Sequence, residues 1–332
     1  DWHWKLMIPV PDFVEKAEFD KILELSKEKG KVVAEAEILF EAIHEKKAVQ
    51  VLHLGSYEDE KESIGKIMTF IEQNNLLDGH YVEPFAGGAG VALELLFQEY
   101  VQQIHINDLD IAIYSFWNAV VNQPDCLCKL IHDTPVTMEE WEKQKDILTT
   151  RSDTPSLELA FATFFLNRTN RSGILKAGVI GGKQQSGKWK LDVRFNKKDL
   201  INRIEKIASY QSRINIYNLD TADLLKTLPK KLPDNSLIYL DPPYYIKGQG
   251  LYRNFYEHKD HVEIRSLLDK IKNIPWLVSY DNAEEIGSIY TGYRKQVFDL
   301  QYSAQTKRVA SEVMIYSDGL SIPDIQLGKK SA

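Results

Sequence analysis

The sequence predicts an α/β protein: a doubly wound, mainly parallel sheet, with a mainly helical insertion inside it and a small α+β segment ahead of it. Three observations carry that prediction. Strand-like and helix-like stretches alternate from His80, break off near residue 112 and resume at Ile214. The interrupting part, 112–212, is helical in pattern almost throughout. Two strands stop abruptly in loops of unusual composition, a glycine cluster in "EPFAGGAG" and a proline pair in "IYLDPPYYIKG".

Taken in order, residues 1–77 read as strand, helix, strand, strand, helix. "HWKLMIPV" and the alternating "AVQVLHLG" supply strands, and "KAEFDKILELSKEKG" and "EKESIGKIMTFIEQNN" supply amphipathic helices. Residues 78–332 form the larger unit. It opens as strand, glycine loop, helix, strand and acid in "YVEPFAGGAGVALELLFQEYVQQIHINDLD". After the insertion come the strands "INIYNL" and "SLIYL", a helix near 259–271, and the strand "PWLVSY". "RKQVFDLQY" and "SEVMIYSD" close the chain as an antiparallel edge.

A length of 332 residues suits two domains or one domain with a large insertion. No apolar run approaches the roughly 20 residues needed to cross a bilayer, and no basic n-region precedes an apolar stretch, so a cytoplasmic protein with no membrane partner is expected. Cys126 and Cys128 are too close for a good disulfide and lack a second ligand pair, so they read as helix residues and no metal is expected. The net charge of −7 argues against a nucleic-acid partner only until its distribution is read. Residues 1–80 carry all of it, whereas residues 168–213 hold 12 Lys and Arg against 3 acids. A solvated face accounts for such a cluster as well. Its interleaving with Trp189, Phe195 and glycines suits a surface that tracks a nucleic-acid backbone, with Arg168, Arg171, Lys183, Lys188 and Lys190 as candidate phosphate contacts.

The two unusual loops carry the chemistry. Glycines between a strand and a helix let the backbone approach a ligand at the helix amino terminus. Asp108, 21 residues beyond Gly87, ends the next strand, the spacing of a ribose-binding carboxylate. No Walker lysine or threonine follows the glycines, which disfavours a triphosphate, and no hydride partner for a nicotinamide is evident. S-adenosyl-L-methionine remains. At the other loop, Pro242 and Pro243 end a buried strand and leave Asp241 at its carboxyl end, where open α/β sheets bind ligands. Asp-Pro-Pro-Tyr in that place can hold something flat.

With "YVEPFAGGAG", "INDLD", "FFLNRTNRSGI", "LDPPYY" and "SEVMIY" in this order, residues 78–318 closely resemble the Dam-type (D12 class) DNA adenine N6-methyltransferases. The resemblance implies a Rossmann-like methyltransferase fold. It implies that Glu83, Pro84, Phe85, Ala86, Gly87, Gly88 and Gly90 wrap the methionine part of the donor and that Asp108 bonds its ribose. It implies that Asp220 lies near the donor's adenine, with Asp223 competing for that place, that Asp241, Pro242, Pro243 and Tyr244 hold the target base, with Asp241 and the Pro242 carbonyl accepting from its exocyclic amine, Tyr244 as a face for the flipped base and Asp241 also at the donor, and that 112–212 reads double-stranded DNA. N4-cytosine methylation is the alternative, since the same acceptors fit any exocyclic amine, and a cognate restriction endonuclease is a candidate partner. Residues 1–77 resemble about half of a GyrI-like small-molecule-binding domain and read as a remnant. The Gly-Gly-Lys start usual in Dam-type enzymes is absent there, with only Lys66 in "IGKIMTF", so weakened donor binding, or a catalytically impaired DNA-binding or ligand-responsive protein, is a further expectation.

Overall fold

The computed structural model describes residues 73–150, 153–246, 256–302 and 308–322. The expected elements of residues 1–72, including the GyrI-like segment, lie outside the described residues.

Strand β1 (Gly79–Glu83) leads through the glycine loop into helix α1 (Gly90–Phe97), and β2 (Val101–Asn107) returns beside β1. The insertion supplies α2 (Ile111–Asn122), α3 (Pro124–Asp133), α4 (Met138–Thr150), α5 (Leu157–Thr169) and α6 (Lys197–Ser209). The alternation then resumes with β3 (Ile214–Tyr217), α7 (Thr221–Thr227), β4 (Leu237–Leu240), α8 (His258–Leu268), β5 (Trp276–Asp281) and α9 (Glu284–Ile289). Strands β6 (Arg294–Tyr302) and β7 (Arg308–Tyr316) finish the sheet.

The described strands form one sheet in the order β3-β2-β1-β4-β5-β7-β6. The first five are parallel; β7 runs antiparallel to β5 and β6 to β7. This is the predicted doubly wound sheet with an antiparallel edge. Central strand β4, LIYL, reads as a continuous apolar run because both faces are covered. Tyr81, Ile104, Ile106, Ile214 and Leu237 pack toward the insertion helices, while their neighbours Val82, Ile238, Leu240, Val278 and Tyr280 pack toward α7, α8 and α9.

Within the insertion, α5 is apolar on nearly every side: each residue from Leu159 to Leu166 is buried. It is therefore a central helix, with others packed around it. Cys126 and Cys128 lie on α3 as free thiols, as expected.

The winding places the site. From β1 the chain moves outward to β2 and β3, then returns to lay β4 against the opposite side of β1. The β1/β4 pair, registered at Tyr81↔Leu237 and Val82↔Ile238, is therefore the point where strand order reverses. Crevices at such points are where open α/β sheets take ligands. The glycine loop leaves one of these strands and Asp-Pro-Pro-Tyr leaves the other.

Candidate active site

The glycine loop is pinned from several directions. Gly87 has a φ of +46°, a region that favours glycine. Its N–H donates to Asp108 Oδ2 at 3.0 Å, and its carbonyl accepts from the Trp117 indole at 2.9 Å. Ala86 N–H donates to the Asn107 carbonyl at 2.9 Å. Ala89, also left-handed at φ +46°, starts α1 without a side-chain cap, and of the first-turn N–H groups the one of Ala92 is taken by Glu83. Gly88 and Gly90 are exposed, and a Cβ built at Gly87, Gly88 or Gly90 meets nothing within 4 Å. Protein packing therefore does not require glycine at 88 or 90; approach by a ligand does. Gly88→Val should leave the unfolding midpoint unchanged and weaken donor binding by about 5- to 10²-fold through overpacking of the cradle. Thermal unfolding and calorimetric titration check the two halves, and undiminished binding would remove the cradle from the site.

Two predicted donor residues turn inward. Asp108 gives Oδ2 to Gly87 and Oδ1 to the N–H of Asp110 at 2.8 Å, and burial raises its pKa to about 6. Glu83 is buried, accepts from Ala92 N–H of α1 at 3.0 Å and hydrogen-bonds Tyr81. It braces the start of α1 from behind the loop, with burial raising its pKa to about 7. A raised carboxyl pKa stabilises the fold most below the ordinary value of 4.5 and loses that contribution as pH rises through about 7. Glu83→Gln cannot ionise, so its stability relative to the parent should rise by up to roughly 3 kcal/mol between pH 4.5 and 8. Urea unfolding at both pH values measures it; a pH-independent difference would contradict it.

The ends of β2 and β3 complete this half. Asp220 caps α7, accepting from Ala222 N–H at 2.8 Å, and stands exposed. Asp223, its competitor, faces outward one turn along and pairs with Lys226 at 3.1 Å. Geometry favours Asp220 for the crevice. Phe85 meets Tyr256 edge-to-face at 5.5 Å, and the Asp220 charge acts on that same Tyr256. Four contributors were missed from sequence. Asn107 is buried and ties three loops together, donating to the carbonyls of Pro84 (2.9 Å) and Leu219 (3.1 Å) and accepting from Leu219 N–H. Trp117 reaches in from the insertion. Leu109 and Leu219 are exposed at 42% each, beside Asp108 and Asp220. Large apolar side chains left open next to acids, in "NDLD" and "NLD", were the available signal for a flat ligand.

The other half starts at Asp241, exposed at the end of β4 between buried Pro242 and the sheet. Surrounding protein raises its carboxyl pKa and the nearby Glu312 charge adds to that, while a 2.7 Å hydrogen bond from Ser279 opposes it. Tyr244 donates its hydroxyl to Glu312 on β7 at 3.0 Å. Asp281, at the end of β5, accepts the N–H groups of Tyr245 (2.8 Å) and Ile246 (3.0 Å), which fixes the chain leaving the motif. Behind it, the Tyr245 ring packs on buried His261, 5.3 Å between centroids. The charge of Asp241 also contributes to raising the Glu83 pKa, so the two halves share one electrostatic neighbourhood.

The five basic residues separate. Arg171, Lys183, Lys188 and Lys190 are exposed, and Lys188 lies 5.3 Å from the ring of Trp189, itself 61% exposed. Arg168 is half-buried and engaged internally: its guanidinium donates twice to the Arg194 carbonyl, at 3.0 and 2.8 Å. Phe195 is core, packed on Phe164 and Phe165. Asn170 of "NRTNRSG" is buried and accepts from the Trp141 indole at 2.7 Å. No group of metal-binding side chains occurs among the described residues, and none of their helices is long and apolar enough to cross a membrane.

Residues 62–304 match the family described as D12 class N6 adenine-specific DNA methyltransferase. The match takes in Lys66, upstream of the motif-bearing stretch that begins at 78. The Type II methyltransferase M.MjaIII of Methanocaldococcus jannaschii is 23% identical over 254 residues, which cover 69% of this chain and 85% of that protein. Among solved structures, a putative methyltransferase, yhhF, from Escherichia coli is 11% identical, with 81% of this chain and 90% of that chain covered at a TM-score of 0.32. An rRNA methyltransferase, aviRa, from Streptomyces viridochromogenes is 14% identical, with 75% and 83% covered at a TM-score of 0.33. Those two likenesses are too loose to argue from; the strand order and the family match do the arguing. Glycine loop, closing acids and Asp-Pro-Pro-Tyr all fall within the matched residues and meet at one sheet edge, and the chain belongs to the D12 class of N6 adenine-specific DNA methyltransferases.

Proposed function

We propose that this adenine DNA methyltransferase takes its methyl group from S-adenosyl-L-methionine and delivers it to N6 of an adenine flipped out of double-stranded DNA. One observation carries the reading: a glycine loop with open space before Gly88 and Gly90 adjoins Asp241 across the β1/β4 pair. The residues present fit such a donor. Asp108 and Asp220 offer carboxylates, Leu109 and Leu219 offer apolar surface, and the acids along this edge favour a cationic ligand.

When bound, the donor supplies an electrophilic sulfonium methyl, whose bonding pair stays with sulfur as the new N–C bond forms. Asp241 and the Pro242 carbonyl accept the two amine N–H groups and hold the nitrogen lone pair toward that carbon. The extra proton then leaves the nitrogen for Asp241 or water. Tyr244 stacks on the extruded base, and its bond to Glu312 sets the ring's direction. Incubating the protein with donor and plasmid DNA, then analysing the digested nucleosides, tests this. N6-methyladenine is expected; N4-methylcytosine alone, or no methylated base, would overturn it.

DNA lies along the exposed basic surface of the insertion in this proposal. Neutralising Lys183, Lys188 or Lys190 singly should flatten the slope of log affinity against log salt by about one unit. Arg168→Ala should instead destabilise the insertion, because it removes an internal partner. Unchanged slopes in all three lysine variants would put the DNA elsewhere. A cognate endonuclease remains part of the proposal, supported by the Type II designation of the M. jannaschii relative.

A further inference from the structure

We propose that Ser279, itself oriented by Tyr239, is the positioning residue that aims the Asp241 carboxylate at the target amine. The inference rests on the proposed function, in which Asp241 accepts from that amine.

The sheet dictates the arrangement. Strands β4 and β5 are parallel and registered through Leu240↔Val278, so Asp241 and Ser279 fall side by side one step further on. Tyr239 and Asp241 are two residues apart and share a face. Ser279 is buried, and its Oγ lies 2.7 Å from Asp241 Oδ1, 2.9 Å from the Tyr239 hydroxyl and 3.4 Å from the Leu240 carbonyl. A serine hydroxyl has one proton. The short contact to a carboxylate is the strongest acceptor on offer, so that proton goes to Asp241. Tyr239 must then donate to Ser279, and the chain runs in one direction, from Tyr239 through Ser279 to Asp241.

Two consequences follow for the carboxylate. Its rotation is fixed, with Oδ1 held by the sheet and Oδ2 left to face the crevice. Its ionised form is favoured against the desolvation by surrounding protein and the Glu312 charge that oppose it. An aspartate at an exposed strand end, followed by two prolines, has no backbone ladder to fix it, so this side-chain chain supplies the orientation that the prolines removed.

The test measures two things on the full chain. First, the Asp241 carboxyl is titrated by carbon NMR with labelled aspartate, its signal identified by its loss in Asp241→Asn. Ser279→Ala should move that titration upward, and Ser279→Thr, which keeps the hydroxyl, should return it toward the parent value. Second, methyl transfer is followed against pH. Ser279→Ala should lower kcat by roughly 10- to 10²-fold, shift the acid limb upward and leave the KM for the donor unchanged, with Ser279→Thr recovering most of the rate. Tyr239→Phe should fall between. An unmoved titration and an unchanged kcat in Ser279→Ala would overturn the inference. So would equal losses in Ala and Thr variants with no change in titration, since that outcome reports packing. Absence of methyl transfer in the parent chain would instead sink the proposed function, and the NMR titration would still decide whether Ser279 holds Asp241.

Discussion

Asp241→Ala loses methyl transfer by about 10²-fold or more, the usual effect of removing an oriented group from a preorganised site, and unfolds at the parent midpoint. The second half of that expectation comes from the structure. Asp241 is exposed, stands past the end of β4, and has Ser279 as its hydrogen-bond partner. Removing it deletes no core contact and relieves a carboxylate whose charged form the surroundings disfavour. Binding of DNA should survive, because the basic surface is untouched. Single-turnover transfer with labelled donor, alongside thermal unfolding, separates the two effects. A variant with near-parental turnover would end the assignment of Asp241 to the amine.

Asp108→Ala should lose donor affinity by about 10- to 10²-fold, the effect of one hydrogen bond to a charged acceptor at roughly 1.5 to 3 kcal/mol. The same carboxylate braces Gly87 and Asp110, so the loop that faces the donor loosens too. Its pKa gives a second signature. Burial raises it from 3.8 to about 6, so the carboxylate is fully formed only above that value. Donor affinity of the parent chain should therefore fall as pH drops through about 6, and Asp108→Ala should lack that dependence. Calorimetric titration at pH 7.5 and pH 5 measures both, and parental affinity in the variant would detach Asp108 from the donor. DNA affinity should be the same in both proteins.

Much of this was legible in the sequence, for identifiable reasons. Strand and helix alternation gave the doubly wound sheet, and the glycine loop and proline pair stand at the ends of β1 and β4, the two strands where the order reverses. Even the antiparallel edge was readable, with "RKQVFDLQY" matching β6 residue for residue. What sequence could not show was direction. Glu83 and Arg168 are charged residues in the right motifs, yet one braces α1 and the other holds a backbone carbonyl. Charge says that a partner exists without saying whether it is internal. Phe195 lies among surface lysines in the chain but faces α5. Asn107 and Ser279 were invisible because small polar residues at strand ends are common, and only strand order shows that they meet three loops and a carboxylate.

The reversal of strand order at β1/β4 also sets when the protein becomes competent. Asn235 donates to the Leu77 carbonyl across 158 residues of chain, just ahead of the paired strands. Contacts that distant in sequence require a large loop closure and form late. Strands β1 and β2 with α1 are local and can assemble as soon as they are made. Strand β4 has to wait until the whole insertion has been synthesised and packed. A nascent chain thus carries β1, α1 and β2 well before it has an Asp241 beside them, and the Ser279 and Glu312 that contact the Asp-Pro-Pro-Tyr turn come later still.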